Sequence, residues 1–113
     1  MTSLARSPET GDPVLREVVR RLVEAYRPER LYLFGSRARG DATAESDYDV
    51  LLVVPDDYPN DRQDGRLAYS VLFGSGAAVD AVVVPRSWFE ARAHLKSALP
   101  GTVLREGKLL YAA

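Results

Sequence analysis

Asp47 and Asp49 are the residues of this 113-residue chain most plainly spaced for chemistry. They stand two apart at the start of "DYDVLLVV", residues 47 to 54, so an extended strand puts both carboxylates on one face and Tyr48 on the other. Carboxylates held that close repel, and a cation is the usual means of keeping them together. Oxygen-only ligation suits Mg2+, which keeps several waters and completes its shell with substrate phosphates. Taken alone, Asp-x-Asp reads equally well as acidic decoration of a strand end. Two further features bear on that choice. Gly35 and Ser36 follow "LYLF", residues 31 to 34, and a glycine and serine at such a junction offer backbone N–H groups and a hydroxyl to an anion. Asp80 lies one residue into "VDAVVV", residues 79 to 84, where a carboxylate without a partner is costly and a shared cation removes the difficulty.

These residues meet only if the elements around them bring them to one place. Asp12 and Pro13 read as a cap and first-turn proline. Val14, Leu15, Val18, Val19, Leu22, Val23 and Tyr26 then recur at helical spacing up to Pro28. Residues 31–34 and 47–54 are strands apolar on both faces, as strands between layers are. "SRARGDA" between them has room for a turn or two of helix. "PDDYPND", residues 55 to 61, is an acidic loop; Asp61 caps a helix reaching Phe73; residues 79–84 form a third strand rich in β-branched side chains. Ser87 and Glu90 make a capping box for a helix through about Leu99, broken by Pro100 and Gly101, and "KLLYA" adds a short terminal strand. The expected fold is α/β, a small mixed β-sheet flanked by helices, with a loose tail over residues 1–11 and one domain over 12–113. Residues 55 to 78 suffice for a helical crossover, so the second and third strands can be parallel, which starts Asp80 at the same sheet end as Asp47. If the first strand is antiparallel to the second, Gly35 and Ser36 arrive there too.

Composition narrows the partners. Fifteen basic against 16 acidic side chains, net charge −1, argue against gripping nucleic acid by bulk electrostatics. The absence of cysteine excludes disulfides and thiolate metal sites, and the single histidine, His94, excludes a multi-imidazole zinc site. Neither a membrane span nor a secretory signal is visible, so the expected location is cytoplasmic, with no membrane partner. His94 and Trp88 read as packing or surface residues of the last helix, and Ser46 as the cap of the second strand. A second Leu-Phe-Gly-Ser, residues 72 to 75, is not a repeat of the one at 33 to 36. Its Gly74 reads as a left-handed helix terminator, with Gly76 loosening the following turn.

With these residues in view, "LFGSRARGDATAESDYDVLLVV" resembles the nucleotidyltransferase superfamily of DNA polymerase β type: Gly-Ser, a spacer of about ten residues, Asp-x-Asp and a later strand aspartate. The resemblance is to minimal nucleotidyltransferases, carried by Gly35, Ser36, Ala38, Arg39, Gly40, Ser46, Asp47 and Asp49, with Asp80 at the third acidic position. It spans about residues 12 to 111, and valine at position 50 in place of leucine is a departure without chemical weight. It implies transfer of AMP from ATP with two Mg2+ ions: Asp47 and Asp49 on both metals, Asp80 on the one that activates the acceptor hydroxyl, and Gly35 and Ser36 cradling the outer phosphates. Arg37 and Arg39 are candidate nucleotide-binding residues, or else solvated side chains of a short helix.

The chain reads as a catalytic core, expected to work without the acceptor domains of polymerases and drug-modifying relatives. The resemblance therefore implies an antitoxin that adenylylates a tyrosine of a partner HEPN-type toxin in a hetero-oligomer. A non-catalytic antitoxin that neutralises by binding, and a small-molecule nucleotidyltransferase completed by a second chain, are the alternatives.

Overall fold

The computed structural model describes residues 11–59 and 66–113. Its elements in chain order are α1 (Pro13–Tyr26), β1 (Arg30–Phe34), α2 (Ser36–Arg39), β2 (Tyr48–Val54), α3 (Arg66–Leu72), β3 (Val79–Pro85), α4 (Arg86–Arg92), α5 (Leu99–Glu106) and β4 (Lys108–Ala112). Residues 1–10 of the expected tail and the Asp61 cap lie outside the described residues.

The four strands form one mixed sheet in the order β3-β2-β1-β4, with β1 antiparallel to both β2 and β4 and β2 parallel to β3. The condition set by the sequence is met: the end of β1 and the starts of β2 and β3 share one end of the sheet. Strand alternation divides the core between the two faces. Leu31, Leu33, Tyr48, Val50, Leu52, Val54 and Val83 pack under α1 and α3, against Leu15, Val18, Val19, Leu22, Tyr26, Ala68 and Leu72. Tyr32, Leu51, Val53 and Val84 pack with Phe89 of α4 and Val103 of α5 on the other face. β2 is central and its Val50 to Val54 are all buried, which explains its near-continuous apolar sequence.

α1 starts as expected. Asp12 Oδ1 accepts from Val14 N–H at 2.9 Å and Leu15 N–H at 3.3 Å, satisfying two of the donors that a helix start leaves open. The second Leu-Phe-Gly-Ser also behaves as read: α3 ends at Leu72, and Gly74 and Gly76 follow at φ +79° and +83°.

The carboxyl-terminal third departs from expectation. The helix expected from Ser87 to Leu99 ends at Arg92 as α4, turns occupy residues 93–98, and a separate helix, α5, begins only at Leu99. Pro100 and Gly101 do not break a helix; they sit in the first turn of α5. Proline needs no N–H partner there. A Cβ on Gly101 would collide with the Leu95 carbonyl oxygen, so the small residue permits a close approach of backbone to backbone. The Ser87–Glu90 capping box does not form either. β3 runs straight into α4, with Pro85 at the cap position, and the Ser87 N–H donates instead to Asp56 Oδ1 at 2.9 Å. A carboxylate from the 55–59 loop thus performs the capping expected of a local side chain, and this bond holds the Asp56 carboxyl below its usual range.

Candidate active site

Asp47, Asp49 and Asp80 alternate away from the α1 face, on the side of the sheet carrying Leu51, Val53 and Val84, at the end that β1, β2 and β3 share. Asp49 pairs in register with Asp80 across the parallel β2–β3 ladder and with Phe34 across the antiparallel β1–β2 ladder. Asp47 immediately precedes β2 and is exposed, whereas Asp49 is half-buried. Asp80 corrects one expectation: it is exposed rather than embedded, on the edge strand β3 between the half-buried Val79 and Ala81.

The Asp49 carboxyl is pushed above its usual range by burial, then by the negative charges of Asp80 and Asp47, with Arg39 pulling the other way. That is the electrostatic signature of carboxylates crowded without sufficient positive charge. Among the described residues, no three His, Cys, Asp or Glu side chains close into a metal cage. A Mg2+ site of the kind anticipated takes part of its shell from water and substrate phosphates, so an open set of carboxylates fits it.

Gly35 adjoins this group directly. It has φ +75° and ψ −157°, a region open essentially to glycine. A Cβ at this position would collide with Asp49 Oδ2 and stand 3.2 Å from Asp49 Cγ. The glycine is therefore required twice, by the sharp exit from β1 and by the carboxylate that lies against it. Its carbonyl then starts α2, accepting from Ala38 and Arg39 N–H at 3.0 Å each, and the Ser36 carbonyl accepts from Gly40 N–H at 3.0 Å.

The two arginines of α2 part company. Arg37 is not brought to the carboxylates. Its Nε and Nη2 donate to the Ser46 carbonyl at 3.0 and 2.8 Å, and its guanidinium lies 3.9 Å from the centre of the Tyr48 ring. Tyr48 in turn donates its hydroxyl to Asp12 Oδ2 at 2.6 Å. Arg37 thus clamps the residue before Asp47 and, through Tyr48, links α2 and β2 to the cap of α1. A cavity of about 250 Å³ lined by Asp12, Arg37, Tyr48 and Lys108 lies on this opposite face. Arg39 is exposed, paired with Asp41 at 3.4 Å, and its charge reaches Asp49. Ser46 closes the turn before β2, its Oγ accepting from Thr43 N–H at 2.9 Å.

The Asp12–Tyr48–Arg37 chain escaped the sequence reading, since it joins residues 36 apart through side chains; the alternation that turns Tyr48 away from the aspartates was its only trace. His94 is exposed, and Trp88 carries the Arg92 guanidinium 4.5 Å from its ring centre. Neither approaches the carboxylates' end of the sheet in any contact seen. No helix among the described residues is long and apolar enough to cross a membrane.

Comparison with known proteins identifies the family and the fold. A protein of Methanocaldococcus jannaschii named as a candidate protein adenylyltransferase is 35% identical over 104 residues, covering 88% of this chain and 97% of that one. A crystal structure described as a toxin-antitoxin with AMP-PNP shares the fold at TM-score 0.58 and 25% identity, covering 86% of this chain and 73% of that chain. The toxin-antitoxin MntA-HpeT, in a mutant form, shares it at TM-score 0.59 and 23% identity over 86% of this chain and 72% of the other. Residues 15–104 match the profile described as nucleotidyltransferase domain, and the chain belongs to that family.

Proposed function

We propose that this nucleotidyltransferase moves AMP from ATP to a hydroxyl, a tyrosine of a partner HEPN-type toxin, and so acts as an antitoxin. The observation that carries the reading is the assembly of Gly35, Ser36, Asp47, Asp49 and Asp80 at one end of the sheet, with Asp49 Oδ2 against Gly35. The relative named for protein adenylylation and the fold neighbour solved with AMP-PNP in a toxin-antitoxin support the acceptor class and the nucleotide.

Asp47, Asp49 and Asp80 would hold Mg2+, two ions by the family resemblance, which when bound neutralises phosphate charge and lowers the pKa of the acceptor hydroxyl. Gly35 and Ser36 receive the outer phosphates through backbone N–H groups and the Ser36 hydroxyl, and Arg39 adds positive charge at the same end. The acceptor oxygen attacks the α-phosphorus in line. A new O–P bond forms, the bond to the bridging oxygen of the β-phosphate breaks, pyrophosphate leaves with that electron pair, and the hydroxyl proton passes to the Asp80 carboxylate. Positioning and charge neutralisation carry the rate. Arg37 contributes by holding Ser46, and hence Asp47, in place.

Mass spectrometry of the chain co-expressed with its HEPN-type partner tests the reading. Wild type is expected to add AMP to a partner tyrosine, and Asp49→Ala to add none while remaining folded. Asp80→Asn, which keeps size but loses charge, should still bind Mg-ATP yet transfer orders of magnitude more slowly. A tight complex left unmodified by wild type under turnover conditions would overturn transfer in favour of neutralisation by binding.

A further inference from the structure

Asp49 is held by the sheet from both sides, paired with Phe34 of β1 and Asp80 of β3. Neither ladder reaches Asp47: β2 begins at Tyr48, whose partner in β3 is Val79. A metal ligand outside the sheet needs another support, because backbone free to turn there would carry its carboxylate away from Asp49 and Asp80. The structure supplies that support at both flanking peptide groups. The carbonyl of the Ser46–Asp47 peptide accepts from Arg37 Nε and Nη2 at 3.0 and 2.8 Å, and the N–H of the Asp47–Tyr48 peptide donates to the Ala78 carbonyl at 2.9 Å. Peptide groups are planar, so fixing the two planes that meet at Asp47 fixes its φ and ψ and the direction in which its side chain leaves.

The first of these grips depends on a long, flexible side chain. Arg37 is kept in place by Tyr48, whose ring centre lies 3.9 Å from the guanidinium, and the buried Tyr48 is tethered in turn by its hydroxyl, which donates to Asp12 Oδ2 at 2.6 Å. Asp12 is itself fixed by the Val14 and Leu15 N–H groups at the start of α1, and its carboxylate also attracts the Arg37 charge. We infer that Asp12 and Tyr48 are positioning residues for the metal site: acting through Arg37, they set the Ser46–Asp47 peptide and so aim the carboxylate that the sheet leaves unpaired. The start of α1, on one face of the sheet, is thereby coupled to metal ligands on the other. The inference rests on the metal-binding part of the proposed function.

The test uses Tyr48→Phe, which keeps the ring and loses the tether, and Asp12→Asn, which keeps a capping oxygen for α1 but loses the charge and the second acceptor. Val19→Ala, buried in α1 and outside this chain of contacts, is the control for simple loosening of the helix. Mn2+ binding to each chain alone is followed by electron paramagnetic resonance, and AMP transfer to the HEPN-type partner is measured on the same preparations over a range of Mg2+ concentrations. Tyr48→Phe and Asp12→Asn are expected to bind Mn2+ about three- to tenfold more weakly than wild type and to need proportionally more Mg2+ for half-maximal transfer. Val19→Ala should melt lower and bind Mn2+ as wild type does. A loss of less than about threefold in either of the first two variants overturns the inference, and an equal loss in Val19→Ala overturns it too, by showing that any loosening of α1 suffices. If wild type transfers nothing while the Mn2+ affinities fall in the expected order, positioning stands and the transfer reading falls. If wild type binds no Mn2+, both fall.

Discussion

Asp49 and Asp80 face each other in register across the parallel β2–β3 ladder, with burial and the neighbouring carboxylates raising the Asp49 pKa. A group whose folded pKa is raised binds more protons in the folded state, so stability falls as pH rises from the ordinary value of 3.8 through the folded one. Asp49→Asn is therefore expected to melt a few degrees higher than wild type in chelator at neutral pH, with the gain vanishing toward pH 3. Mg2+ should raise the wild-type Tm and leave that of Asp49→Asn nearly unchanged. Thermal melts with and without the cation check both.

Gly35→Ala meets the Asp49 carboxylate and a left-handed φ together. We expect a loss of about 1–3 kcal/mol, with transfer abolished even in the folded fraction. Adding Asp49→Ala removes the collision but not the backbone strain, so urea unfolding of the double variant should recover only part of the loss. Full additivity of the two changes would show that the contact carries no weight.

Arg37 and Arg39 should separate by assay. Arg37→Ala loses a two-nitrogen grip on the Ser46 carbonyl and the contact with the Tyr48 ring, at a cost of about 1–2 kcal/mol. Arg37→Lys should recover little, because a point charge cannot reproduce the planar fork. Arg39→Ala, at an exposed site, should leave stability within about 0.5 kcal/mol and weaken Mg-ATP binding instead. Chemical denaturation and nucleotide titration of the three variants decide the matter.

Asp12 ties the start of α1 to Tyr48. Burial pushes its carboxyl up, but hydrogen bonds from the Tyr48 hydroxyl and from Leu15 and Val14 N–H, with the Arg37 charge, outweigh it and hold the pKa below 3.8. A depressed carboxylate stabilises above its unfolded pKa, and the contribution is lost as pH falls through the folded one. Asp12→Ala should cost about 1–2 kcal/mol at pH 7, and the difference from wild type should shrink below pH 4. Tyr48→Phe should cost less, since the cap bonds to Val14 and Leu15 remain. Denaturation curves at pH 7 and pH 3 give the comparison.

The local chemistry of the chain was legible in its residues. Asp12-Pro13 started α1, the apolar run after Asp49 made a central strand, Gly35 ended β1, and the aspartate spacing put Asp47 and Asp49 on one face, because caps, strand alternation and glycine dihedrals act within a few residues. The sequence left the direction of β1 conditional; only the packed sheet, by pairing β1 antiparallel to β2, brought Gly35 and Ser36 to the carboxylates. The tertiary structure likewise decided that Arg37 serves Ser46 and Tyr48, that Asp56 rather than Ser87 caps α4, and that Pro100 and Gly101 open a helix. Each of these depends on a carbonyl, a ring or a carboxylate supplied from elsewhere in the chain. A one-dimensional pattern records which groups a residue can bond, and the fold chooses among partners by bringing distant ones within 3 Å or so.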